Sequence, residues 1–315
     1  MSIFSLLLKG EILVPLFVLK IMKWVLMILR VLVSVLYFTM LERKLMGYFQ
    51  IRKGPKKVGF IGLLTPIADA IKLFFKGIGL PVYSKKIVFW IGPLLAVIFL
   101  FVVWMVYPLP FFNKVFIYGF IIFVCISRLS VYSTLGSGWG SNSKYSLLGA
   151  LRGAAQTISY EVVFIFISFF PLCFQGGFFL YSFLYISYSY VLWILPLFIL
   201  WLIRCVAETK RSPFDFSEGE RELVSGFNTE YSAMEFACLF LGEYGQIVFI
   251  RCLGILIFGN MIRIIVYLVI GICIAISFIW FRCSFPRFRY DLLMELAWCW
   301  GLIFIIFFFF YIMAV

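Results

Sequence analysis

Residues Ile87–Phe112 read IVFWIGPLLAVIFLFVVWMVYPLPFF, a run without one charged side chain. At ~1.5 Å rise per residue such a run extends ~39 Å as a helix, and ~20 apolar residues already cross the hydrocarbon core of a bilayer. No water is available there to satisfy backbone N–H and C=O groups, so a lone apolar segment must be helical. This stretch predicts a transmembrane helix.

Working outward, the same pattern recurs along the chain. Eight spans are expected, at about 24–41, 87–112, 115–136, 147–175, 178–203, 231–258, 259–281 and 292–315. Pro93, Pro171 and Pro196 interrupt three of them, which bundled membrane helices tolerate. There is no inverted repeat of the kind that builds secondary transporters. The expected fold is an all-α integral membrane protein, one membrane domain over residues 1–315.

Composition agrees. Hydrophobic residues make up 64% of the 315, charged residues 13%, and the mean hydropathy is +1.10, far from the ~45–50% apolar and ~25% charged of soluble domains. The net charge of +13 comes from 27 basic and 14 acidic residues. No polar, base-rich domain exists to bind nucleic acid. Twenty of the 27 basic residues fall in 42–86, 128–152, 204–230 and 282–291, the loops that eight spans place on one side. The positive-inside rule puts those loops in the cytoplasm or its organellar equivalent, the matrix, with both termini opposite.

The first of these loops holds a short amphipathic helix at about 66–76. Thr65 is placed to cap it, Pro66 suits its first position, and Gly77 follows its end. Ile67, Ile71, Phe74 and Phe75 form one face; Asp69, Lys72 and Lys76 form the other. At ~16 Å it is too short to cross a bilayer and belongs in the interface, against lipid or as the floor of an access path.

Eight cysteines show no CxxC spacing and there is no histidine, which argues against metal, haem, Fe–S and disulfide frameworks. The N-terminus lacks an Arg-rich amphipathic pattern and a small-residue cleavage site. The 40 Phe and 17 Tyr suggest a T-rich organellar genome.

Polar groups within spans carry the chemical information, since each costs roughly 2.5–3.5 kcal/mol at a helix centre. Glu161 falls mid-way along the fourth span and Glu243 ~18 Å into the sixth. Each is either a structural hydrogen-bonding or ion-pair group or a proton-relay carboxylate, and the relay is favoured. Arg251, two turns on from Glu243, is a candidate partner. Lys20 and Lys23 can snorkel; Arg30 is left without a role.

Eight of the fourteen acids (Glu208, Asp215, Glu218, Glu220, Glu222, Glu230, Glu235 and Glu243) fall between 208 and 243. Alternating Glu218, Glu220 and Glu222 favour proton sharing, although a solvated, cation-binding loop fits the residues equally well.

The stretch Ala207-Glu208-Thr209-Lys210-Arg211-Ser212-Pro213-Phe214-Asp215 through Glu230-Tyr231 resembles the loop after the fifth helix in the subunit 1 family of respiratory complex I, the proton-pumping NADH:ubiquinone oxidoreductase. Four further stretches resemble it in order: Leu41-Glu42-Arg43-Lys44 with Gly47-Tyr48 and Arg52-Lys53-Gly54-Pro55; Pro66 to Lys72; Ser141 to Tyr145 with Gln156 to Glu161; and Pro286-Arg287-Phe288-Arg289-Tyr290-Asp291. The resemblance implies a quinone path lined or braced by Glu42, Arg43, Arg52, Asp69, Lys72, Arg287, Arg289 and Asp291. It implies a proton relay through Glu208, Asp215, Glu218, Glu220, Glu222 and Glu230 that Glu161 and Glu243 carry into the membrane. Ubiquinone is then a substrate, and FMN and Fe–S clusters belong to partner subunits. This chain would bind no FMN, Fe–S, haem or metal and catalyse nothing alone. The implied partners are peripheral quinone-module subunits, neighbouring membrane-arm subunits and lipid. The implied location is the mitochondrial inner membrane, with the chain organelle-encoded.

Two departures from the family pattern stand out. Arg221 sits between Glu220 and Glu222, and the N-terminus is longer by roughly a span. Rival readings are the homologous subunit of a membrane-bound hydrogenase-type complex, a stand-alone cation transporter, and a purely structural anchor.

Overall fold

The computed structural model describes residues 3–77, 79–108, 116–184, 195–217, 226–258 and 264–314, and every described element is helical. In chain order these are α1 (Ile3–Phe49), α2 (Thr65–Phe75), α3 (Lys86–Val106), α4 (Gly119–Gly140), α5 (Lys144–Gln175), α6 (Leu195–Glu208), α7 (Ala233–Phe258), α8 (Ile264–Ser284), α9 (Tyr290–Glu295) and α10 (Leu302–Ala314). Among the described residues, six stretches are long and apolar enough to cross a membrane: Ile21–Phe49, Lys86–Val106, Gly119–Gly140, Lys144–Cys173, Ala233–Phe258 and Tyr290–Phe310. The spans expected at 178–203 and 259–281 run partly into 185–194 and 259–263, outside the described residues.

Several boundaries differ from expectation. The first helix is not confined to 24–41 but runs unbroken to Phe49, carrying Glu42, Arg43 and Lys44 on regular helix rather than in a loop. The helix expected over 115–136 covers Gly119–Gly140. Between α9 and α10 the backbone takes a π-helical turn, Leu296–Gly301. The short helix forms at Thr65–Phe75, but Thr65 does not cap it. Leu64 holds that position, Pro66 lies inside the first turn, and the Thr65 hydroxyl donates backward to the Gly62 carbonyl at 2.8 Å.

Lipid tails are as apolar as leucine, so helices in a bilayer associate through close packing rather than hydrophobic burial. The tightest pair here is α3 against α4. A Cβ on Gly140 would lie 2.7 Å from the Phe89 nitrogen, and one on Gly92 would lie 2.9 Å from the Ser137 nitrogen. Only hydrogen fits at these crossings. Tyr231, just before α7, clips the pair from outside. Its ring stacks on Phe89 at 4.2 Å, and its hydroxyl donates to the carbonyls of Phe89 (3.2 Å) and Ser137 (3.1 Å). Burial, with Glu235 nearby, pushes this phenol upward, so it stays a donor. On the far side the Trp201 ring of α6 fills the space above Gly254 of α7. The interior between is aromatic, with Trp104, Phe123, Phe164 and Phe249 packed edge to face or tilted.

Candidate functional site

Inside this packing α3, α4, α5, α7 and the end of α6 surround a polar cavity of about 40 Å3, measured to water centres. That is room for water where polar partners exist. Its α4 wall is a hydroxyl ladder. Ser127, Ser130, Ser133 and Thr134 each donate to the carbonyl three residues back, at 2.9, 2.6, 2.6 and 3.0 Å. The back-bonds occupy the hydroxyl hydrogens of Ser130, Ser133 and Thr134, while Ser127 is also placed to donate to Glu161. Gly242, Glu243 and Gln246 of α7 face them across the cavity.

Three of the expected relay acids line this space: Glu161, Glu208 and Glu243. Glu161 is 3% exposed. It lies 3.4 Å from the Nε of Arg128, whose side chain is 57% exposed, and it faces the Ser127 hydroxyl. Glu208 ends α6 with an oxygen 2.6 Å from Arg204 one turn earlier. Glu243 is half-buried, with Arg211, Lys210 and Asp215 as its charged neighbours. Arg251 is not among them; its guanidinium lies 6.0 Å from the Phe38 ring. Glu230 is half-buried outside the cavity. Glu218, Glu220 and Glu222 lie outside the described residues, as does Arg221.

The turn after α6 is held against α5 by one side chain. Gln156, fully buried, donates through Nε2 to the carbonyls of Ala207 and Phe214, both at 2.8 Å. Gly149 lets the same segment approach, since a Cβ there would lie 3.0 Å from the Ser217 carbonyl oxygen. Arg287 reaches Asp215 from beyond α8 at 3.4 Å, and the Phe288 amide donates to the Pro213 carbonyl.

A second cluster closes on Glu42, 5% exposed where α1, α7 and α8 meet. Tyr244 donates its hydroxyl to one carboxylate oxygen at 2.7 Å, and Arg282 pairs with the other. Arg211 lies over the Tyr244 ring at 4.2 Å. Next to Glu42 on the chain, Arg43 pairs with Asp69 of α2 at 2.6 Å, both half-exposed, and Lys44 donates to the Ile61 carbonyl. Arg52, Lys72, Arg287, Arg289 and Asp291 are all exposed. Among the described residues, Arg287 is joined to a relay acid, Asp215.

Running inward from Glu42, held by Tyr244 and Arg282, come Arg211 over the Tyr244 ring and Glu243 with Arg211 and Lys210 as charged neighbours; across the cavity lie the ion contacts Glu208–Arg204 and Glu161–Arg128. The sequence gives Tyr244 no local signal, places Arg282 only in a basic loop and Gln156 only in a family-like stretch, and tells nothing of what each of them holds. Arg204 had a local signal, a cation four residues before Glu208 at the end of an apolar run, but it was counted with the 204–230 loop. It is instead a fully buried helical residue.

A family model described as NADH dehydrogenase matches residues 22–313. Among curated proteins, NADH-ubiquinone oxidoreductase chain 1 of Artemia franciscana is 45% identical over 277 residues, 87% of this chain and 91% of that one. The proteins of the same name from Aedes aegypti and Branchiostoma lanceolatum are 46% and 48% identical, over 87% and 85% of this chain and 88% and 87% of their own. The chain belongs to the NADH dehydrogenase family.

The match to the NADH dehydrogenase family covers both clusters, from Glu42 to Asp291. It begins at residue 22, after the N-terminal part of α1. Membership was legible in five short motifs; the contacts that bind those motifs into two clusters were not.

Proposed function

We propose that this chain is the core membrane subunit of a proton-pumping NADH:ubiquinone oxidoreductase in the mitochondrial inner membrane, where it forms the ubiquinone access tunnel and the acidic start of the coupling relay. The run of buried and half-buried acids and bases from the Glu42 cluster to Glu161 carries this reading, together with membership of the family. A quinone has a long apolar tail and a polar head, so its path needs apolar walls opening to lipid and charged groups at the inner end. The exposed apolar face of α2 and the Glu42 cluster supply the two. Reduction takes two electrons, delivered by a peripheral partner subunit, and two protons, giving the quinol. Glu42 and its neighbours sense or supply that proton demand, and Glu243, Glu208 and Glu161 pass the charge change inward. The expected partners are the peripheral quinone-module subunits, the neighbouring membrane-arm subunits and membrane lipid. The flavin and Fe–S centres reside in partners, and the chain is organelle-encoded.

The test is Glu161→Gln in the assembled complex. Quinone-linked NADH oxidation and pumping are expected to fall about tenfold or more, with electron transfer to an acceptor that draws upstream of quinone unchanged. Normal turnover and pumping would remove Glu161 from the relay.

A further inference from the structure

Arg204 is the fully buried cation of the cavity region, at 1% exposure. A guanidinium so placed must be stabilised by its surroundings, because desolvating a charge costs several kcal/mol. Three contacts do this. Its Nε donates to the Tyr160 carbonyl at 3.3 Å, its Cζ lies 3.4 Å from the Phe164 ring centre, and Nη2 lies 2.6 Å from a Glu208 oxygen. The last is a close ion contact without hydrogen-bond angles, and neither Nη1 nor Nη2 has a hydrogen-bond partner among the described residues. Glu161, the residue after Tyr160, is within electrostatic reach of Arg204, Glu208 and Arg128. One oxygen of Glu161 and one of Glu208 are likewise buried without a hydrogen bond. A static bidentate fork would use both nitrogens on one carboxylate. Here two acids and one fork are left part-satisfied side by side.

We propose that Arg204 is a positioning residue of the acidic chain, a counter-ion that Glu208 and Glu161 share, moving toward whichever carboxylate is ionised. The inference rests on the relay reading above. Anchored by Tyr160 and Phe164, the guanidinium keeps its place while Nη1 and Nη2, neither fixed by a hydrogen bond, turn between acids on α5 and α6. A proton bound at Glu208 releases the cation to Glu161, and a proton bound at Glu161 returns it. Protonation at one acid thereby favours ionisation of the other without a chain of waters joining them. The groups facing this exchange are Arg128 on α4, Tyr160 and Glu161 on α5, Cys205 and Glu208 on α6, Lys210 in the following turn and Glu243 on α7. Arg128 does not replace Arg204, because it reaches Glu161 from α4, whereas Arg204 touches Glu208 and is bonded to the carbonyl just before Glu161.

The experiment uses assembled complex carrying Arg204→Met, Arg204→Lys, Glu208→Gln and Arg204→Met with Glu208→Gln. Transfer from NADH to the upstream acceptor reports assembly, and quinone-linked turnover is followed from pH 5 to 9. Arg204→Met is expected to lower turnover about fivefold and displace the pH–rate profile by about a unit, while Arg204→Lys keeps at least half the rate and the original profile. The double variant should be no slower than Glu208→Gln alone, since the two residues act as one unit. An Arg204→Met profile that superimposes on that of the unsubstituted complex overturns the proposal, as do losses that multiply in the double variant. If Arg204→Met fails to assemble, the double variant, which leaves no unpaired buried charge between the two, supplies the comparison with Glu208→Gln. Normal turnover and pumping in Glu208→Gln would instead sink the relay reading itself.

Discussion

Glu42 shows how a side chain acquires its role from elements far away in sequence. On its own it is an acid near the end of a long helix. Folded, it accepts a hydrogen bond from Tyr244 and pairs with Arg282, 202 and 240 residues on. Hydrogen bonds to a charged group contribute ~1.5–3 kcal/mol, so Tyr244→Phe should lower the complex's thermal stability and loosen Glu42. Because the Arg282 pair remains, the expected functional result is a KM for quinone raised about threefold, with kcat reduced less. A KM equal to that of the unsubstituted complex would show that Glu42 is held by Arg282 alone. Arg43→Ala removes the partner of Asp69 and should slow quinone reduction more than transfer to upstream acceptors; equal loss with both would point to failed assembly. The motif reading had placed Glu42 and Arg43 near the quinone. It could not separate the buried one from the exposed one, because both sit on the same helix in successive positions.

At the scale of elements, α3 and α4 cross so closely that backbone meets backbone. A side chain at Gly140 has no flexible neighbour to push aside, because the Phe89 and Val88 main chains lie within 3.0 Å of its Cβ position. Overpacking of this kind costs ~1–3 kcal/mol or more, and Gly140→Val should reduce the amount of assembled complex several-fold on a native gel. Recovery of full assembly would mean that the two helices can part without consequence. The short helix α2 makes a different demand. Ile67, Ile71, Phe74 and Phe75 are exposed on it, and a face of that kind needs lipid or an apolar substrate. A tryptophan placed by Phe75→Trp should emit like an interfacial indole and be quenched by shallow lipid-bound quenchers rather than by aqueous iodide. Strong iodide quenching would put α2 in water. The amphipathic pattern was sufficient to find this helix to within a residue. Its start was misassigned because Thr65 back-bonds to Gly62, a choice between two local hydrogen bonds that the sequence leaves open.

For the whole molecule, the distribution of charge predicts an orientation. The first basic loop exposes Lys53, Lys56 and Lys57, with Lys53 lowering the Lys56 ammonium by repulsion. On the proposed mitochondrial placement, trypsin added to vesicles with the matrix face outward should cut there, and right-side-out vesicles should be protected. Cleavage only in right-side-out vesicles would invert the assignment.

Sequence alone determined that this chain is helical and membrane-embedded, where its polar groups concentrate and which family it belongs to. Those properties are written locally: in runs of apolar residues that only a helix can carry through lipid, and in short motifs. Tertiary structure decided which polar groups meet. Gln156 tying α5 to the turn at 207–214, Tyr244 and Arg282 converging on Glu42, and Arg204 bonded to the Tyr160 carbonyl are contacts between segments 44 to 240 residues apart. Each depends on the rotation and closeness of packed helices, which the glycines of α3 and α4 permit but no single segment specifies.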